Sequence, residues 1–246
     1  MIEWNDCVVG GPVSKLAPVL GTVAEAMPRL ADDGGAVRAE QYLCALRVVA
    51  RCDQDVVLVR FPSISARGAM VVGLAELTHG LEGPASGQLT DQFVLTAVDG
   101  RATLTVGESE HELTPVALSA VETVVTSFPE VGTVAGAELL AVAEYARASG
   151  AERGVTVHVG NGDILFSPIG VGEVPVAEVE VREGRQLVGE IVELHLGAAR
   201  VAALARRLGD GPIRVRFTWV HDGAFVALVS DDGLVEAQLH ATPVGV

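Results

Sequence analysis

The 246-residue chain contains one lysine, Lys15, two tryptophans and two tyrosines, and only 4% of its residues are aromatic. Its core must therefore be built from Val, Leu and Ala. No apolar run approaches the ~20 residues that span a bilayer, and no charged-then-apolar leader opens the chain. A helical membrane protein is excluded on this reading, and secretion is disfavoured. The three cysteines, Cys7, Cys44 and Cys52, have neither metal-ligand spacing nor an even count. The expected compartment is the reducing cytoplasm.

Positive charge is scarce. Lys and Arg number 17 against 32 Asp and Glu, a net charge of −15, which excludes a general basic coat for nucleic acid. The deficit is even: 8 cations face 16 anions up to residue 125, and 9 face 16 after it. Neither end is a charged tail. A hydrophobic fraction of 49% with 20% charged residues is too apolar for disorder and ample for a packed core.

What the chain does have is an internal repeat with an offset of about half its length. Asp99-Gly100, an alternating run over 101–106 and His111-Glu112-Leu113-Thr114-Pro115-Val116 stand near the middle. Asp222-Gly223, a run over 224–230 and His240-Ala241-Thr242-Pro243-Val244 stand near the end. Each reads as a hairpin whose last strand ends in Thr-Pro-Val, with Asp-Gly supplying the positive φ of the turn. Each half also carries two helical stripes. In the first they are Leu16, Leu20, Val23, Met27 and Leu30, interrupted by Pro28, and then Leu74, Leu77, Thr78 and Leu81. In the second they are Leu139, Val142, Ala143 and Ala146, and then Val201, Leu204, Ala205 and Leu208 with Gly209 as C-cap. Strands are expected at 43–49, 56–61, 155–159, 174–181, 187–196 and 213–220. The connections are too short for parallel crossovers, so the expected class is α+β with antiparallel sheets. The domains are placed at 1–118 and 135–246, joined by a connector at 119–134.

Catalytic signals are weak. The six histidines are scattered, and His111 lies on the opposite strand face from Glu108, Glu110 and Glu112. Gly160-Asn161-Gly162 and Gly170-Val171-Gly172 are turns without a phosphate-loop context, and no serine stands in a nucleophile elbow. No bond chemistry, metal or cofactor is expected.

Four stretches, taken in order, resemble the DNA polymerase sliding clamps, specifically the middle and C-terminal domains of the bacterial beta clamp. They are Ala50-Arg51-Cys52-Asp53-Gln54-Asp55-Val56 running on to Pro62, the segment 101–116, the Phe128-Pro129 linker, and the segment 189–246. The resemblance implies a DNA clamp fold of two tandem domains, each with two helices packed on antiparallel sheets. Since family rings contain six domains, it implies a ring-shaped homotrimer. It implies that inner-helix cations face duplex DNA: Lys15 and Arg29 on the first helix, Arg147 and Arg153 at the third, Arg200, Arg206 and Arg207 on the fourth. Arg200, Ala203 and Arg207 fall on one helical stripe, opposite Val201, Leu204 and Leu208. It implies a pocket for a short linear peptide of a DNA polymerase or repair enzyme, lined by Arg51, Asp53, Gln54 and Val56 and by Val220, His240, Thr242, Pro243 and Val244. It also implies a clamp loader as partner. A second reading is a clamp paralogue that acts as a protein-binding or regulatory module without encircling DNA. The second helix, with Glu76, His79 and Glu82 and no Lys or Arg, favours that alternative.

Overall fold

A computed structural model of the chain describes residues 7–27, 35–42, 45–52, 55–62, 66–82, 92–121, 128–149, 154–160, 162–169, 174–182 and 192–243. They form two compact units, Met1–Val125 and Thr126–Val246. The class is α+β, as the patterning predicts.

In the first unit β1 (Cys7–Pro12) leads directly into α1 (Val13–Ala26), followed by β2 (Ala36–Tyr42), β3 (Ala45–Cys52), β4 (Asp55–Pro62), β5 (Ala66–Arg67) and β6 (Ala69–Gly73). Next come α2 (Leu74–Leu81), β7 (Gln92–Val98), β8 (Arg101–Val106), β9 (Ser109–Leu113) and β10 (Pro115–Val116). One sheet has the order β5-β1-β7-β8-β9 and the other β10-β6-β2-β3-β4. The helix face of α1 buries Leu16, Val19, Leu20, Val23 and Ala26; each Leu or Val so buried contributes about 1.5–3 kcal/mol.

The second unit runs β11 (Glu130–Ala135), α3 (Gly136–Ala148), β12 (Val155–Gly160), β13 (Asp163–Pro168), β14 (Ala177–Glu178), β15 (Glu180–Val181) and β16 (Val192–Leu196). It continues with α4 (Ala198–Leu208), β17 (Pro212–Val220), β18 (Gly223–Val229) and β19 (Val235–Pro243). Its pairings reproduce those of the first unit one for one. The β1–β7–β8–β9 ladder corresponds to β11–β17–β18–β19. The ladder β6–β2–β3–β4 corresponds to β16–β12–β13–β14, and the β1–β5 pair to β11–β15. Even the Thr-Pro sites match: Pro115 pairs with Val72, and Pro243 with Leu194. The repeat read in the sequence is thus a repeat of topology.

Three details differ from expectation. Glu130–Ala135, which begins inside the expected connector and ends at the first residue of the expected second domain, is strand β11 and pairs with β17. The expected strand at 174–181 is two short strands separated by Val179, whose N–H is given to the Ile164 carbonyl. The two Asp-Gly turns are also not alike. Asp99 and Gly100 both take positive φ, 50° and 79°, as a two-residue hairpin turn requires. In the second hairpin the turn is His221-Asp222, and Gly223 already pairs with Val220.

Each helix begins where a strand ends, behind an extended residue with no side-chain cap: Pro12, Gly73, Ala135 and Gly197. The strand therefore sets the start of the helix. Glu76 and Glu138 lie in first turns, where a carboxylate favours the helix dipole. No helix among the described residues is long and apolar enough to cross a membrane.

Candidate functional site

The helix pair of the second unit concentrates the cations. Gly136 opens α3 against the segment that follows α4: its N–H is given to the Gly211 carbonyl at 2.9 Å. A Cβ at Gly136 would run into the Gly209 carbonyl oxygen. Gly209 itself ends α4 at φ 90°. These small residues set the start of α3 beside the end of α4.

On α4 Val201 to Leu204 and Ala205 are all buried, Ala203 included. This corrects the expected stripe: Ala203 is core, because its small side chain admits the neighbouring elements. Arg206 is exposed, whereas Arg200 and Arg207 are half-buried. Arg206 and Arg207 occupy the last turn, where cations favour the dipole. Arg147 is exposed in the last turn of α3 and pairs with Glu144 at 3.3 Å. Arg206 reaches the same carboxylate from α4. The Arg206 hydrogen bond, then the charges of Arg206 and Arg147, hold the Glu144 carboxyl below the usual carboxylate range.

The first unit offers less. Lys15 is exposed near the start of α1. On α2 the Glu76 carboxylate accepts both the N–H of Thr114, at 2.8 Å, and its hydroxyl, at 2.7 Å. Among the described residues, α3 and α4 together carry four arginines against two glutamates, and α1 and α2 carry one lysine against two glutamates. Arg29 and Arg153 lie outside the described residues, as do Asp53, Gln54 and Val244.

Of the remaining peptide-site residues, two belong to the first unit and four to the second. Arg51 is half-buried and pairs across the β3–β4 ladder with Val56. Val56 is only 5% exposed and packs with Val49, Leu58, Val71 and Val121. In the second unit Val220 ends β17 half-buried, Thr242 is exposed and Pro243 half-buried. His240 lies 3.3 Å from the Asp222 carboxylate. Its ring packs on Phe225 at 5.3 Å, and Phe225 stacks on Phe128 at 5.5 Å. The linker phenylalanine of the sequence reading is therefore an anchor on β18. Beside it, Trp219 is 45% exposed and meets Phe217 edge-on at 4.9 Å. The sequence reading missed this aromatic set, although Phe128, Phe217, Trp219 and Phe225 are four of the chain's few aromatics.

A second polar constellation crosses β13, β12 and β16. Ser167 Oγ lies 2.8 Å from His158 Nε2, and His158 Nδ1 lies 3.5 Å from Glu193 Oε1. The order mimics nucleophile, base and orienting acid. Yet all three residues sit within paired strands, with Thr156 opposite Ser167 and His158 opposite Glu193. The Ser167–His158 and His158–Glu193 contacts are thus those of diagonal and opposite neighbours across antiparallel ladders. Among the described residues no group of three or more His, Cys, Asp or Glu could hold a metal. Cys7 is buried, and burial pushes its thiol up to about 12, so it is an inert core residue.

With this geometry in view the architecture can be classed: a tandem-duplicated α+β chain whose units each place two helices beside antiparallel sheets. It is the DNA clamp fold of the sliding clamps. The chain is similar to the DNA polymerase III beta subunit from Pseudomonas aeruginosa, with a TM-score of 0.72 and 13% identity over 97% of this chain and 65% of that one. It is similar to the DNA polymerase sliding clamp from Bacillus subtilis, with a TM-score of 0.71 and 10% identity over 96% and 65%. It also matches a chain of the PCNA2–PCNA3 complex from Sulfolobus tokodaii, with a TM-score of 0.62 and 12% identity, over 96% of this chain and 99% of that one. The chain thus spans just under two thirds of the bacterial clamps and the full length of the archaeal one. No family model and no curated protein matches.

Proposed function

We propose that the chain is a DNA sliding clamp, a non-enzymatic processivity factor that closes as a cytoplasmic homotrimeric ring around duplex DNA. The observation that carries this reading is the arginine-rich α3–α4 pair on a clamp fold. A net charge of −15 is compatible with it, because a protein that is topologically linked to its track needs only weak, local, salt-sensitive contacts. Arg147, Arg200, Arg206 and Arg207 make those contacts, with Lys15, Arg29 and Arg153 as lesser contributors. Within their own units β9 and β14 each end a sheet, and such edges suit strand pairing with a further copy. Two-unit length supports three chains per ring.

A polymerase or repair-enzyme peptide is the proposed partner of Arg51, Asp53, Gln54 and Val56 and of Val220, His240, Thr242, Pro243 and Val244, and a clamp loader the proposed means of opening. The deciding experiment measures retention on circular against linear DNA, together with mass in solution. A clamp stays on a closed circle, slides off a linearised one, and has three times the 25.5 kDa chain mass. A monomer that shows no such difference refutes the reading. That result would favour the second one, a clamp-fold protein-binding module, to which the sparse cations of α1 and α2 point.

A further inference from the structure

Glu144 stands out on the arginine-bearing helix face. It is half-exposed on α3, yet it engages cations of both helices, Arg147 at 3.3 Å on its own and Arg206 on α4. The i,i+3 spacing to Arg147 is legible in the sequence; the bond to Arg206, 62 residues away, is not. An exposed ion pair contributes little to stability, so the arrangement has little structural purpose. Its electrostatic effect is larger: one carboxylate engages two of the four guanidinium groups that the α3–α4 pair carries.

We infer that Glu144 is a built-in competitor for the phosphate backbone, which lowers the affinity of the helix pair for DNA by holding Arg206 and Arg147 in an exchangeable ion pair. This rests on the DNA-clamp reading and deepens it. A phosphate approaching Arg206 must displace the carboxylate first, so each contact costs the breaking of another, and the net attraction stays shallow. Shallow attraction is what a sliding protein needs. The depressed carboxyl keeps Glu144 ionised throughout the physiological range, so the competition is always present and is relieved only by salt or by the incoming phosphate.

The test uses the full chain with the isosteric substitution Glu144→Gln, and Glu138→Gln as a control that removes the same charge from the same helix. Binding to a short fluorescein-labelled duplex is followed by anisotropy between about 50 and 200 mM salt. Expected is an affinity for Glu144→Gln about tenfold above the wild type at the low-salt end, with a salt slope steeper by about 0.9 for each arginine released. Glu138→Gln should stay within about twofold of the wild type. If both variants tighten equally, the effect is bulk charge and the competitor role is overturned. If the wild type binds and Glu144→Gln binds no tighter, the role is overturned while the clamp reading stands. If none of the three binds even at low salt, the competitor role is overturned, because there is no attraction for Glu144 to lower, and the clamp reading is judged separately by retention on circular DNA. Circular dichroism of the variants verifies that the fold is kept.

Discussion

The two units share the ladders described above and differ in what they place on them. In the first, the face shared by β2, β3, β4 and β6 carries Val49, Val56, Leu58 and Val71, packed with Val121 and flanked by Val116 and Leu118. On the same face Glu40 accepts from Arg38 at 2.8 Å and from Arg47 Nε at 2.6 Å, with Glu40 and Arg47 each 6% exposed. Arg38 also reaches the carbonyls of Leu118 and Val121. In the second unit the corresponding ladder, β16–β12–β13, presents Ser167, His158 and Glu193, and Glu193 is 54% exposed. The helices divide the other way: cations are sparse in the first unit and gathered in the second. One topology thus supports an apolar, covered sheet face in one copy and a polar, open one in the other, because strand pairing is a backbone property while each face is chosen residue by residue.

The comparison breaks most visibly at buried charge. Glu40→Ala leaves two arginines facing one another in a low-dielectric site and should cost about 3–5 kcal/mol, whereas Glu193→Ala should cost less than about 0.5 kcal/mol. Urea unfolding of the two variants settles it; equal losses would mean that the faces are energetically alike. The helix asymmetry is next. Reversing Arg200, Arg206 and Arg207 together to Glu should weaken duplex binding by about a hundredfold or more at low salt, against about threefold for Lys15→Glu. Comparable losses would place the first unit's helices on DNA as firmly as the second's.

Glycines sharpen the contrast at a smaller scale. Gly136→Ala pushes against the Gly209 carbonyl and should destabilise by about 2 kcal/mol. Gly21→Ala in α1 meets open space and should stabilise by up to about 1 kcal/mol. Thermal melts of the pair test this, and a neutral Gly136→Ala would show that the α3–α4 junction is loose. The smallest effect is that of pH. The Glu144 carboxyl is lowered on folding, so its stabilisation is present above the ordinary carboxylate range and is lost as pH falls through the folded value. The stability difference between wild type and Glu144→Gln should therefore vanish in acid. A difference that grows on acidification would contradict the ion pairing with Arg206 and Arg147.

Much of this architecture was legible, and the illegible part has physical causes. The 3.6-residue stripes mark the four α-helices of the described residues, and Asp99-Gly100 marks one turn, because both signals are local. Most of strand β11 falls in the expected connector because Phe128-Pro129 looks like loop chemistry, and its pairing with β17 carries a register shift between Glu130 and Gly132. The burial of Ala203 reflects packing that no single helix reveals. The cations of α4 are singled out in the sequence by the clamp resemblance, but that Glu144 answers Arg206 as well as Arg147 depends on two helices meeting. Phe128 stacking on Phe225 is likewise a contact across nearly a hundred residues.

One further asymmetry follows from β19. This unbroken strand pairs with β18 along Glu236–Ala241 and with β16 at Thr242 and Pro243, so a single piece of backbone is stitched into both ladders of its unit. In the first unit the same path is divided into β9 and β10 at Thr114, and there the Glu76 carboxylate clasps the gap. The backbone runs on covalently through both joints, but in the second unit it stays within paired strand, whereas in the first Thr114 is held by one acidic side chain. Amide exchange should register that weak point as early opening around Thr114, in a module whose twin stays shut at Thr242.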